Sequence, residues 1–102
     1  MVTEIADITV HAGSVAEFPA AFERGAAHLR ASPGFVSARL TRSIESPQRF
    51  VLLVEWESLA AHTEGFRSSP AFAAWRGEVG PHFDGAPVVE HLLDVHAVSA
   101  QD

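Results

Sequence analysis

The stretch His62–Trp75, HTEGFRSSPAFAAW, gathers an imidazole, two phenyl rings and an indole in a chain that has neither cysteine nor tyrosine. Leu59, His62 and Phe66 recur at i, i+3 and i+7, so on a helix the imidazole shares its stripe with apolar side chains and turns inward. An imidazole held there can act as a base, because its ordinary pKa of about 6.5 suits proton abstraction near neutrality and burial keeps it uncharged. The same pattern also fits a core histidine bonded to a backbone carbonyl, or one at the helix surface. Phe66, Phe72, Trp75 and Phe83 follow at helical spacings and read either as ordinary core or as the wall of a cavity for an aromatic ligand. His82, after Gly80–Pro81, falls at the mouth of such a cavity or in solvent. His91 and His96, with Glu90 and Asp94, invite a metal assignment, but on a strand an odd spacing of five sends the two rings to opposite faces, so no metal site is expected.

The remaining composition narrows the chemistry. Without cysteine there is no thiolate nucleophile, iron–sulfur cluster or thiolate zinc site. The net charge of −6 and scattered arginines argue against a nucleic-acid partner, whose binding draws on clustered cations. Glycine-rich phosphate loops and the nucleophile elbow of serine hydrolases are absent. No apolar run is long enough to span a membrane, and MVTEIADITV does not resemble a secretory signal, so a cytoplasmic protein without a membrane partner is expected.

The hydropathy pattern sets out the elements that carry these residues. Thr3–His11 alternates as a strand, with Ala6, Ile8 and Val10 on one side and Asp7, Thr9 and His11 on the other. Ser14 and Glu17 have capping-box spacing ahead of the helical stripe Val15, Phe18, Phe22, Ala26 and Leu29. Pro19 either interrupts that helix or sits harmlessly in its first turn. After the SPG break, Phe35–Ser43 and Arg49–Trp56 form a hairpin around ESPQ. Ser58 caps a short helix to about Arg67, and Ser69–Pro70 starts another through Val79. A last strand runs from Val88 to about Val98, and residues 99–102 fray.

The order strand, helix, strand, strand, helical segment, strand makes residues 1–102 a single α+β domain of ferredoxin-like βαββαβ architecture, a four-stranded antiparallel sheet with helices on one face. In RFVLLVEW, Phe50, Leu52, Val54 and Trp56 face one side, yet Val51 and Leu53 make the other side apolar too. No helix remains to cover it, so a homodimer through sheet-on-sheet packing is expected.

The run Val54–Leu92, with EWES, the following His62, GFRSSPAF and VVEHL, resembles the antibiotic biosynthesis monooxygenase family of dimeric α/β-barrel proteins. The similarity extends over strand one, helix one and the PGF that opens strand two. The resemblance implies a monooxygenase that needs no cofactor and oxidises a small or polycyclic aromatic, quinol- or anthrone-like, with dioxygen. On that reading His62 is the base and Phe66, Phe72, Trp75, Phe83 and His82 contact substrate. Two rivals share the fold: a non-catalytic dimeric protein that binds a small aromatic, and a polyketide cyclase or isomerase. A haem-degrading branch uses an Asn–Trp–His set, and the corresponding places here hold Ala6 and Asp7, Gly65 and Trp75, which disfavours haem chemistry.

Overall fold

The computed structural model describes residues 1–101. Period-two alternation builds its sheet. In β1 (Val2–Thr9) the side chains of Glu4, Ala6 and Ile8 are buried, and in β3 (Arg49–Trp56) so are Phe50, Leu52, Val54 and Trp56. These residues share the inner face because the two strands pair antiparallel with Ala6 opposite Leu52. β2 (Phe35–Arg42) flanks β3, and β4 (Val88–Leu92) flanks β1, giving the strand order β2-β3-β1-β4. With α1 (Phe18–Arg30) and α2 (Pro70–Val79) packed on the inner face, the architecture is the expected ferredoxin-like α+β fold.

The helix starts depart from the pattern read in the sequence. Ser14 does not cap α1; it ends a short 3-10 turn, Ala12–Ser14, and its hydroxyl pairs with the His82 ring at 3.0 Å. The helix begins at Phe18, which places Pro19 in the first turn, where its missing N–H costs nothing. Ser58 does accept the Ala61 N–H, at 3.1 Å, but the segment that follows is a π-helical turn, Ala61–Phe66, rather than α-helix.

Two glycines set how closely the layers approach. Gly34 has φ 84°, and a Cβ there would lie 2.6 Å from the Ala61 Cβ. Only glycine allows the chain to enter β2 directly beneath the π turn. Gly25 of α1 receives the Trp75 ring, whose Cε3 would stand 2.8 Å from an added Cβ.

The last strand is shorter than expected, ending at Leu92 instead of near Val98. Its partner is the reason: Leu92 lies opposite Thr3, so β1 has almost no residues left for a longer β4 to pair with. Leu93, Val95 and Val98 consequently stand exposed. Ser99 to Gln101 follow, and Asp102, the end of the segment expected to fray, lies outside the described residues. Among the described residues, no helix is long and apolar enough to cross a membrane.

On the outer face Asp7 and Arg49 form a bidentate pair, and Thr3 donates to Glu55 at 2.7 Å. Between these polar contacts lie Ile5, Val51 and Leu53, all half-buried, with exposed Val88 and Leu92 beside them.

Candidate functional site

Glu4 is a carboxylate placed where the alternation of β1 calls for an apolar residue. It faces inward, is 7% exposed, and has Val54 and His91 as its cross-strand neighbours. Burying a carboxylate is costly unless polar partners receive it. The Trp56 indole Nε1–H donates to Glu4 Oε1 at 3.0 Å, and His62 Nε2 approaches the same oxygen at 3.3 Å. The His62 ring stacks on Trp56, with centroids 5.3 Å apart and planes 19° from parallel. Its other nitrogen, Nδ1, lies 2.8 Å from His91 Nε2.

Across the His62–His91 contact one ring nitrogen donates and the other accepts. The 3.3 Å approach of His62 Nε2 to Glu4 Oε1 is an ion pair only when the ring is protonated. Glu4 Oε2 has no partner among the described residues. Burial raises the Glu4 pKa above the ordinary carboxylate value, against the opposing pull of the Trp56 hydrogen bond and the Arg67 charge. Burial lowers His62 to about 4, with Arg67 and His91 adding to the effect. His91 is lowered by burial and by Arg67. Near neutrality the two imidazoles are therefore uncharged, and burial pushes the Glu4 carboxyl toward holding a proton.

The cluster borders a cavity of about 360 Å³ between the inner sheet face and the helical layer. That volume is within the range of small-molecule sites, roughly 300–1,000 Å³. Glu4, Ala6 and Leu52 form part of its floor, and His62, Phe66, Phe72, Trp75 and Phe83 its walls. Phe66 meets Phe72 edge-on at 5.5 Å. The structure thus brings together five of the six residues singled out in the sequence. His82 is the exception and does not line the cavity: it belongs to the 3-10 turn Gly80–His82, where its ring bonds Ser14 and meets Phe18 edge-on at 6.0 Å.

Four polar residues at or beside the cavity, Glu4, Arg67, Arg76 and His91, were not assigned to it from the sequence. Glu4 and His91 sit at the same level of adjacent strands, a pairing visible only once the register is known. The metal argument for His91 and His96 also used a strand that stops before His96, and among the described residues no group of three or more His, Asp or Glu side chains is placed to hold a metal ion. Arg67 was hidden by the assumed helix type. On an α-helix five residues advance roughly 1.4 turns, so Arg67 would leave the face of His62. The π turn instead bonds Arg67 N–H to the His62 carbonyl at 3.0 Å and keeps both side chains at the cavity. Arg76, one turn beyond Phe72, also lines the cavity.

Comparison with known proteins places this geometry. A candidate antibiotic biosynthesis monooxygenase from Bordetella bronchiseptica is 38% identical, with a TM-score of 0.90 over 93% of this chain and 97% of its own. SnoaB, a cofactor-independent oxygenase from Streptomyces nogalater, is 25% identical with a TM-score of 0.80, over 95% of each chain. A mycobilin-producing heme oxygenase from Mycobacterium tuberculosis is 33% identical over 92% of this chain and 91% of its own. Haem iron needs an axial ligand. Among the described residues His62 is the one imidazole lining the cavity, and its Nδ1 is held 2.8 Å from His91 Nε2. The sequence profile of antibiotic biosynthesis monooxygenases matches residues 1–78. The chain belongs to the antibiotic biosynthesis monooxygenase family.

Proposed function

We propose that the cavity oxygenates an electron-rich, fused-ring phenol of the quinol or anthrone type with dioxygen, without a cofactor. The observation that carries this reading is a chamber walled by Phe66, Phe72 and Trp75 in which one carboxylate oxygen, Glu4 Oε2, is left without a protein partner. The rings hold a flat substrate and exclude water. The Glu4–His62 pair takes the phenolic or enolic proton, with Glu4 accepting it and His62 keeping the carboxylate oriented. The resulting anion gives one electron to dioxygen, and the radical pair combines to form a carbon–oxygen bond. The peroxide then takes that proton back from the base. Loss of the remaining hydrogen at that carbon as a proton to the base cleaves the O–O bond, leaving a carbonyl and a hydroxide that takes the proton from the base as water. One oxygen atom enters the product and the other leaves as water, so the substrate's own electrons supply the reduction. His62, the residue nominated in the sequence, serves in this scheme as a positioning group for Glu4.

The outer sheet face fits a second copy of the chain. Ile5, Val51, Leu53, Val88 and Leu92 form an apolar surface on the side without helices, and homodimerisation would bury it. Light scattering at working concentration is expected to report twice the chain mass; a monomer would remove this part of the proposal.

The activity test is oxygen uptake with an anthrone or hydroquinone under chelator, followed by product mass after reaction in isotopically labelled dioxygen. The expected result is one labelled atom per product. Stoichiometric binding without oxygen uptake would instead establish a non-catalytic binding protein, and an unoxidised, cyclised product would establish a cyclase.

A further inference from the structure

The cavity has a feature that an all-purpose aromatic pocket does not need: two arginines. Arg67 and Arg76 both line it, and both are solvent-exposed, which marks where it opens. Neither forms an ion pair with any described residue, although this chain carries six more acidic than basic groups. The nearby Glu78 is already held by Arg24 at 2.9 Å. Arg76 is not loose: its guanidinium carbon lies 5.3 Å from the centroid of Phe83 and 5.9 Å from that of Phe72, so cation–π contacts hold it on the aromatic wall. Arg67 is fixed at its backbone by the π turn, and its charge reaches the cluster at the other end, acting on Glu4, His62 and His91 alike.

We infer that the site selects aromatic anions: a fused-ring phenol that also carries a carboxylate or equivalent acid, with the acid against Arg67 and Arg76 and the phenol toward Glu4. This rests on the reading of the cavity as an aromatic site, and it names the substrate class within that reading. Guanidinium recognises carboxylate and sulfonate through charge-assisted hydrogen bonds, which an uncharged quinol cannot supply. An anion there also offsets the Arg67 charge that depresses the basicity of the cluster. Binding the correct substrate thereby strengthens the proton acceptor facing it.

Equilibrium binding to the full-length protein under anaerobic conditions tests this without turnover. Two fluorescent probes with the same rings are compared: anilinonaphthalene sulfonate and its uncharged parent, phenylnaphthylamine. The pair hydroxynaphthoate and naphthol is then assayed by displacement. Each anion is expected to bind about tenfold more tightly than its neutral partner, an advantage that shrinks with added salt. In the double variant R67Q/R76Q the ratio is expected to fall to about one, with most of it restored in R67K/R76K, where the charge returns. Equal affinity for anion and neutral, or a preference that survives in R67Q/R76Q, would overturn the inference while leaving the aromatic pocket standing. Failure of both members of a pair to bind would overturn both. Anion-selective binding without oxygen uptake from any quinol would sustain this inference and sink the oxygenase reading.

Discussion

Acid should destabilise this protein through His62 in a way that a glutamine in its place abolishes. The ring is 3% exposed, stacked on Trp56 and 6.3 Å from Phe66, and its pKa falls from 6.5 in the unfolded chain to about 4. Between those values the unfolded state binds more protons than the folded one, so stability falls as pH falls, beginning near 6.5 and complete at about 4. The full displacement corresponds to about 3 kcal/mol, an upper bound that is a large share of a small domain's stability. Glu4 works in the opposite sense. Its folded pKa is raised, so its contribution is greatest at low pH and is lost as pH rises from the ordinary carboxylate range through the folded value. The assay is urea unfolding of wild type and H62Q across pH 6.5 to about 4, repeated in an E4Q background to remove the opposing group. H62Q will lower stability at every pH by disturbing the stack, so the slope is the quantity to compare. Parallel curves for wild type and H62Q would refute the buried, uncharged imidazole.

Other substitutions probe the remaining contacts. E4Q keeps the shape and the Trp56 hydrogen bond but removes the proton acceptor, so turnover should fall about 10²–10⁴-fold while probe binding persists. Unchanged turnover in E4Q would remove Glu4 from the chemistry. G34A combines a left-handed φ with a 2.6 Å contact to Ala61 and should cost about 2–4 kcal/mol in denaturant unfolding. G25A sets a methyl group 2.8 Å from the Trp75 ring, so it should weaken phenylnaphthylamine binding by displacing a cavity wall, read by fluorescence titration.

How much of this was legible in the sequence depended on which periodicity each residue obeyed. The strands were readable because Ala6, Ile8, Val10 and Phe50, Leu52, Val54, Trp56 alternate cleanly and are all buried. The helical wall was readable because Phe72 and Trp75 lie three residues apart on one helix and Phe66 shares the preceding helical stripe with His62. Glu4 was not, since a charged residue in an alternating strand reads as an edge feature until β4 brings His91 opposite it and β3 ends in Trp56 beside it. Arg67 needed a π turn that no local residue type announces. The end of β4 followed from the length of its partner, a property of the register and not of the Val88–Val98 stretch itself.

The most direct test of the Glu4-based cavity is a crystal structure with a fused-ring phenolic acid bound under anaerobic conditions. The rings should lie among Phe66, Phe72 and Trp75, the phenol oxygen within hydrogen-bond distance of Glu4 Oε2, and the acid against Arg67 and Arg76. A ligand bound on the outer sheet face, or a phenol turned away from Glu4, would contradict it.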